Sequence, residues 1–226
     1  MNWRVFPDRD AVAIAVYEAI VSEARHAIAR RGRFLLVLAG GGTPALAYRY
    51  LASSGEDFSR WEFFLGDERC LPVSDAARNS RMVEQTLLRP AGIRASQFHP
   101  IAAELGAEPA AHAYSEVIEP LLPFDCVLLG MGEDGHTASL FPGQRFSDEA
   151  LVTAVHDAPK PPADRVSLNY PVLTGARRRL FIITGEAKRA AVQRWRAGEP
   201  LPAARVAAAD PTEVFIDRTA FGPPEG

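Results

Sequence analysis

Residues 128–142 read Leu-Leu-Gly-Met-Gly-Glu-Asp-Gly-His-Thr-Ala-Ser-Leu-Phe-Pro, three glycines, an aspartate and a histidine directly after an apolar run. Imidazole is the side chain whose charge changes nearest neutral pH. His136 is therefore a candidate general base, and Asp134, two residues earlier, is a carboxylate able to orient it or balance its charge. A tight loop whose polar groups only satisfy the backbone would use the same residue types, so the other segments must decide. Gly40-Gly41-Gly42-Thr43-Pro44 lies between an apolar run and a helical segment. Successive glycines let backbone N–H groups face a ligand. Thr43 suits an N-cap and Pro44 the first helical position, so the helix start offers an anion site to which Gly41, Gly42 and Thr43 would contribute. The Lys-Ser/Thr ending of a phosphate loop and the spacing of a dinucleotide fingerprint are both missing.

Gly66-Asp67-Glu68-Arg69 follows another apolar run and reads as a charged turn. Arg69 could fork onto a phosphate or carboxylate, and Asp67 could hold a hydroxyl or assist proton transfer. Either Asp67 or Asp134 could partner His136. Asn79 reads as an N-cap. Arg165 opens Val166-Ser167-Leu168 after a proline-rich loop, and Lys188 follows Gly185 at a further strand-to-helix corner, where it could face the same rim. Arg177, Arg178 and Arg179 read as exposed surface cations. His26, His99, His112 and His156 lack the acid and glycine context of His136 and read as structural or surface groups.

These loops need rigid elements to converge. Apolar periodicity predicts a helix over residues 11–31, ended by Gly32, with further helices over 45–52, 79–88, 106–122 and 186–196. Continuous apolar runs predict buried strands over 34–38, 61–65, 124–129 and 179–184, and shorter ones over 151–155 and 213–217. The alternation argues for an α/β fold, a mostly parallel sheet with helices on both faces. No linker or repeat divides residues 1–226, so a single domain is expected, with 222–226 as a mobile tail.

The chain has 226 residues, 47% hydrophobic, with 25 basic and 28 acidic side chains for a net charge of −3. That near balance gives no reason to expect a nucleic acid or a charged membrane surface as partner. Cys70 and Cys126 have neither metal-type nor disulfide-type spacing and fit free thiols in a reducing setting. Residues 1–10 have no apolar stretch of the secretory kind, and no run reaches the roughly 20 residues needed to cross a bilayer, so a cytoplasmic protein is expected.

Together, residues 40–44, Asp67-Glu68-Arg69 with Pro72 and Asn79, the stretch 130–142, Arg165, Gly185 and Lys188 resemble the 6-phosphogluconolactonase family over nearly the whole chain. The resemblance implies a Rossmann-like α/β fold without a nucleotide, and hydrolysis of 6-phospho-D-glucono-1,5-lactone with neither metal nor cofactor. It implies His136 as general base, with Asp134 or Asp67 holding the imidazole or a hydroxyl. Arg69, Lys188 and Arg165 would bind the remote phosphate. The expected partner is a small sugar-phosphate lactone, and the expected assembly a monomer or small homo-oligomer. Two departures stand out: Gly42 replaces a serine found in many members, and Cys70 follows Arg69. No Gly-x-Ser-x-Gly elbow is present, which argues against an acyl-enzyme. Glucosamine-6-phosphate deaminases share this fold and a related Asp-Gly-His loop. Their loop continues with an acid where this chain has residues 138–142, and a tyrosine stands where it has Arg69. A non-catalytic sugar-phosphate sensor would usually carry a DNA-binding module, for which the chain has no spare length.

Overall fold

A computed structural model describes residues 1–222. Ten strands form: β1 (Asn2–Phe6), β2 (Phe34–Leu38), β3 (Trp61–Leu65), β4 (Asp67–Arg69), β5 (Phe98–His99), β6 (Cys126–Leu129), β7 (Val152–Val155), β8 (Arg165–Leu168), β9 (Arg179–Ile183) and β10 (Thr212–Asp217). Seven of them make a parallel sheet in the order β1-β10-β9-β6-β2-β3-β5. β2 is buried at every position, the burial expected of a continuous apolar run covered on both faces. Eight α-helices accompany the strands: α1 (Arg9–Arg31), α2 (Gly42–Ala52), α3 (Asn79–Val83), α4 (Ala107–Ile118), α5 (Tyr170–Gly175), α6 (Arg189–Arg196), α7 (Pro202–Ala207) and α8 (Arg218–Phe221). Asp8 opens α1 by accepting from the Ala11 N–H, and Gly32 closes it in the left-handed conformation at φ 78°. Both ends of α1 are thus set by local chemistry, while its buried face packs on β2, β9 and β10 and against α2.

The strand order sets the position of the ligand crevice. From β2 the chain builds outward through β3 to β5, then returns to the other side of β2 as β6 and builds away through β9 and β10. The loops leaving β2 and β6 therefore diverge, and a crevice opens at the carboxyl ends of these two strands.

β4, β8 and β7 form a second, antiparallel sheet, with Asp67 opposite Ser167 and Arg69 opposite Arg165. The Asp67-Glu68-Arg69 segment, expected as a turn, is thus a strand. Three polar residues carry no period-2 apolar signal, and their ladder bonds come from a partner about a hundred positions away (167 − 67). α4 ties this sheet to the main one. It packs against β7 and β8, and its Tyr114 hydroxyl accepts from the Leu65 N–H (3.0 Å) and donates to the Leu65 carbonyl (3.1 Å).

β1 joins the main sheet alongside β10, and the amino terminus meets Asp210 at 2.8 Å. Arg179 is the clearest reversal of expectation. Instead of being exposed it is fully buried, and its guanidinium donates to the carbonyls of Thr174, Ala176, Ala209 and Pro211 and to Thr212 Oγ1. These acceptors replace water around the cation, which makes the burial tolerable. Arg178 is half-buried between Glu213 and Glu23. Gly222 donates to the Arg218 carbonyl, and the remainder of the expected mobile tail, 223–226, lies outside the described residues. One contiguous apolar core serves both sheets. No helix among the described residues is long and apolar enough to cross a membrane.

Candidate active site

A cavity of about 360 Å³ opens at the diverging ends of β2 and β6. Its walls come from Gly40 and Gly41 after β2, Asp67 and Arg69 on β4, residues 130–133 with His136, Ala138 and Phe141 after β6, Lys160 and Arg165 around β8, and Lys188 after β9. The volume falls within the range of small-molecule sites.

His136 is held by its own loop. The Gly132 N–H donates to the His136 carbonyl (2.8 Å), the Gly135 N–H to the Gly132 carbonyl (3.1 Å), and Thr137 Oγ1 to the Gly130 carbonyl (2.8 Å). Asp134 Oδ1 accepts from the His136 backbone N–H (3.1 Å) and lies 2.5 Å from its Nδ1. A carboxylate can only accept, so this contact assigns the ring proton to Nδ1 and leaves Nε2 with the free lone pair. The close fit explains one glycine: a Cβ on Gly132 would sit 2.0 Å from His136 Nδ1. Burial lowers the imidazole's pKa, outweighing the opposing pull of Asp134, and so favours the neutral ring. For Asp134 burial acts upward, but the His136 backbone and ring contacts prevail and keep it below the usual carboxylate value.

Asp67 also lines the cavity. Its Oδ1 accepts from Asn79 Nδ2 (3.0 Å), which also donates to the Asp67 carbonyl (2.9 Å). Its Oδ2 accepts from Ser139 Oγ (2.6 Å), and the Ser139 N–H donates to Ser167 Oγ (3.1 Å). Burial pushes the Asp67 carboxyl up despite the Ser139 bond. The direct carboxylate partner of His136 is thus Asp134, with Asp67 acting on the imidazole only through space. A Cβ on Gly40 would meet Asn79 Oδ1 at 2.0 Å, so the glycine loop packs directly on the amide that holds this acid.

Two capping expectations need correction. Asn79 is not the N-cap of α3. The α3 amides of Asn79 and Ser80 instead donate to the two carboxylate oxygens of Glu68 (2.8 Å each), freeing the Asn79 side chain for Asp67. Glu68 is fully buried, also accepts from the Arg69 N–H (2.9 Å), and pairs with Arg78 at 3.4 Å. Nor does Thr43 cap α2. The helix begins at Gly42 with Gly41 in the cap position, while Thr43 Oγ1 shares a 2.6 Å hydrogen bond with Thr184 Oγ1.

The cations ring the cavity. Lys188 is lowered chiefly by burial, and Arg165 likewise. Arg69 donates from Nη1 to the Ala77 carbonyl (2.5 Å). Lys160, which sequence reasoning passed over in a proline-rich loop, lies 3.4 Å from Glu133. No periodic pattern marks such a residue; the one available signal was a lone lysine five positions before Arg165. Gly41 lines this cavity, but Gly42 and Thr43 line a smaller neighbouring one with Arg9, Thr184, Gly185 and Asp217. Ser139 and Phe141 also had no assigned role, although both stand in the glycine-rich stretch.

A family model described as glucosamine-6-phosphate isomerases/6-phosphogluconolactonase matches residues 7–216. The 6-phosphogluconolactonase of Mycobacterium tuberculosis is 35% identical over 226 residues, covering 93% of this chain and 87% of that protein. The human 6-phosphogluconolactonase is 35% identical over 219 residues, covering 89% and 85%. The crystal structure of 6-phosphogluconolactonase from Thermotoga maritima superposes with a TM-score of 0.88 at 29% identity, over 96% of this chain and 98% of that one. A monomeric glucosamine-6-phosphate deaminase superposes with a TM-score of 0.84 at 21% identity over 97% and 98%, a likeness of fold alone.

Proposed function

Because the chain belongs to the 6-phosphogluconolactonase family, we propose that it hydrolyses 6-phospho-D-glucono-1,5-lactone to 6-phospho-D-gluconate with His136 as the general base. The observation that carries this reading is the 2.5 Å contact between Asp134 and Nδ1, which leaves a neutral Nε2 lone pair on a ring lining the cavity. Nε2 takes a proton from water as the oxygen attacks the lactone carbonyl. The tetrahedral intermediate then collapses, the ring oxygen leaves, and the imidazolium returns the proton to it as a hydroxyl. Amides of the glycine loop are candidate donors to the oxyanion. Arg69, Arg165, Lys188 and Lys160 supply positive charge for the phosphate, which positions the ring for attack. Asp67, held by Asn79 and Ser139, would take a substrate hydroxyl. The reaction would be the second step of the oxidative pentose phosphate pathway. A cytoplasmic enzyme, monomeric or a small homo-oligomer and acting on a diffusible substrate with no nucleic acid or membrane, completes the reading.

Freshly made lactone, with product followed by coupled oxidation of 6-phosphogluconate, tests the proposal against the spontaneous rate. His136→Ala should fold normally and lose about 10²–10⁴-fold of the rate. No acceleration by folded wild-type protein would sink the lactonase reading, and ammonia release from glucosamine-6-phosphate would transfer the chain to deaminase chemistry.

A further inference from the structure

Phe141 is 3% exposed yet stands outside the contiguous apolar core. Its burial therefore comes from the site. On one side its ring centroid is 4.5 Å from that of His136, at an interplanar angle of 48°. The Arg165 guanidinium carbon lies 5.5 Å from the same ring. Arg165 is itself fixed, donating from Nε to the Pro162 carbonyl (3.2 Å) and from Nη2 to the Lys160 carbonyl (2.8 Å). A continuous chain of contacts thus runs from the loop carrying Lys160, through Arg165 and Phe141, to the imidazole.

We propose that Phe141 is a positioning residue for the hydrolysis: supported by Arg165, its ring fixes the His136 imidazole against Asp134 and shields its flank from water. The inference rests on the lactonase reading for its consequence in rate, and on geometry alone for its consequence at the imidazole. An apolar wall beside a histidine penalises the charged ring, the direction of the burial effect at His136. The charged groups acting on this imidazole are Asp134 on its own loop, Asp67 on β4 and Lys188 after β9, with Arg165 of β8 behind the Phe141 ring. Phe141 changes none of these charges, so its removal isolates shielding and orientation.

The test is an NMR titration of the histidine rings, with His136 assigned by its loss in His136→Gln, in wild type, Phe141→Leu and Phe141→Ala. The Ala variant should move the His136 midpoint upward, toward the ordinary value of about 6.5. The acid limb of kcat/KM should shift in the same direction. At neutral pH kcat should fall about tenfold, through misorientation of the base, while KM changes little. Phe141→Leu, which keeps an apolar side chain and safeguards folding, should show the same changes at smaller size. If the folded Leu and Ala variants titrate like wild type and keep its pH profile, the proposal is overturned, even if their melting temperatures drop. If Ala fails to fold, the Leu variant decides by the same criteria. The titration needs no substrate, so it is separable from the lactonase reading, whose failure would appear as wild-type protein giving no acceleration.

Discussion

Glu68 lines no part of the cavity, yet four groups converge on its buried carboxylate: the amides of Arg69, Asn79 and Ser80 and the guanidinium of Arg78. Removing its charge would leave Arg78, 3% exposed, with Glu104 as its remaining carboxylate. Glu68→Gln should therefore cost about 3–5 kcal/mol, the usual penalty for breaking one side of a buried pair, read as a lower midpoint in denaturant. His136 supports a prediction of different sign and kind. Burial holds its pKa below the ordinary histidine value, and the neutral ring is the proposed base. The acid limb of the kcat/KM profile should therefore have its midpoint below the ordinary histidine value of about 6.5. A midpoint above that pH would contradict the neutral, shielded ring.

At the scale of elements, the loop after β6 works because its glycines let the imidazole fold back onto the backbone. Gly132→Ala places a methyl where Nδ1 and Asp134 already lie, so it should abolish most activity. The clash is confined to the side chains of His136 and Asp134, so the variant's melting temperature should change far less than that of Glu68→Gln. Activity and thermal denaturation measured side by side would check the contrast. The same contrast explains what the sequence disclosed. The glycine loops after β2 and β6 were legible because close approach leaves residue types few alternatives, and buried parallel strands were legible as apolar runs. β4 was not, because its three residues are all polar, nor was β8, because four alternating residues are too few to establish a period, and their pairing is non-local. Asn79 and Thr43 were misread as caps because their types suit capping. Better partners, Asp67 for one and Thr184 for the other, drew them elsewhere. Arg179 was misread because local sequence does not show how many free carbonyls will surround a cation once β9 and β10 pair.

On the scale of the whole molecule, two sheets share one core, and burial separates the two free thiols. Cys126 is fully buried in β6, whereas Cys70 is partly exposed with its thiol pushed up to about 11. Thiolate is the reactive form. An aromatic disulfide reagent at neutral pH should thus modify Cys70 slowly and Cys126 only after denaturation; two rapidly reacting thiols in the native protein would contradict this packing. The outer position of β1 has a consequence for biosynthesis. Of the strands in the described residues, β1 is made before the other nine and has as its sheet neighbour β10, which is made after them. Until β10 emerges, residues 2–6 travel with the nascent chain without their partner strand. A protein made without them would expose the β10 ladder of Val214, Phe215 and Ile216 as an open edge, a template on which a second copy could zip.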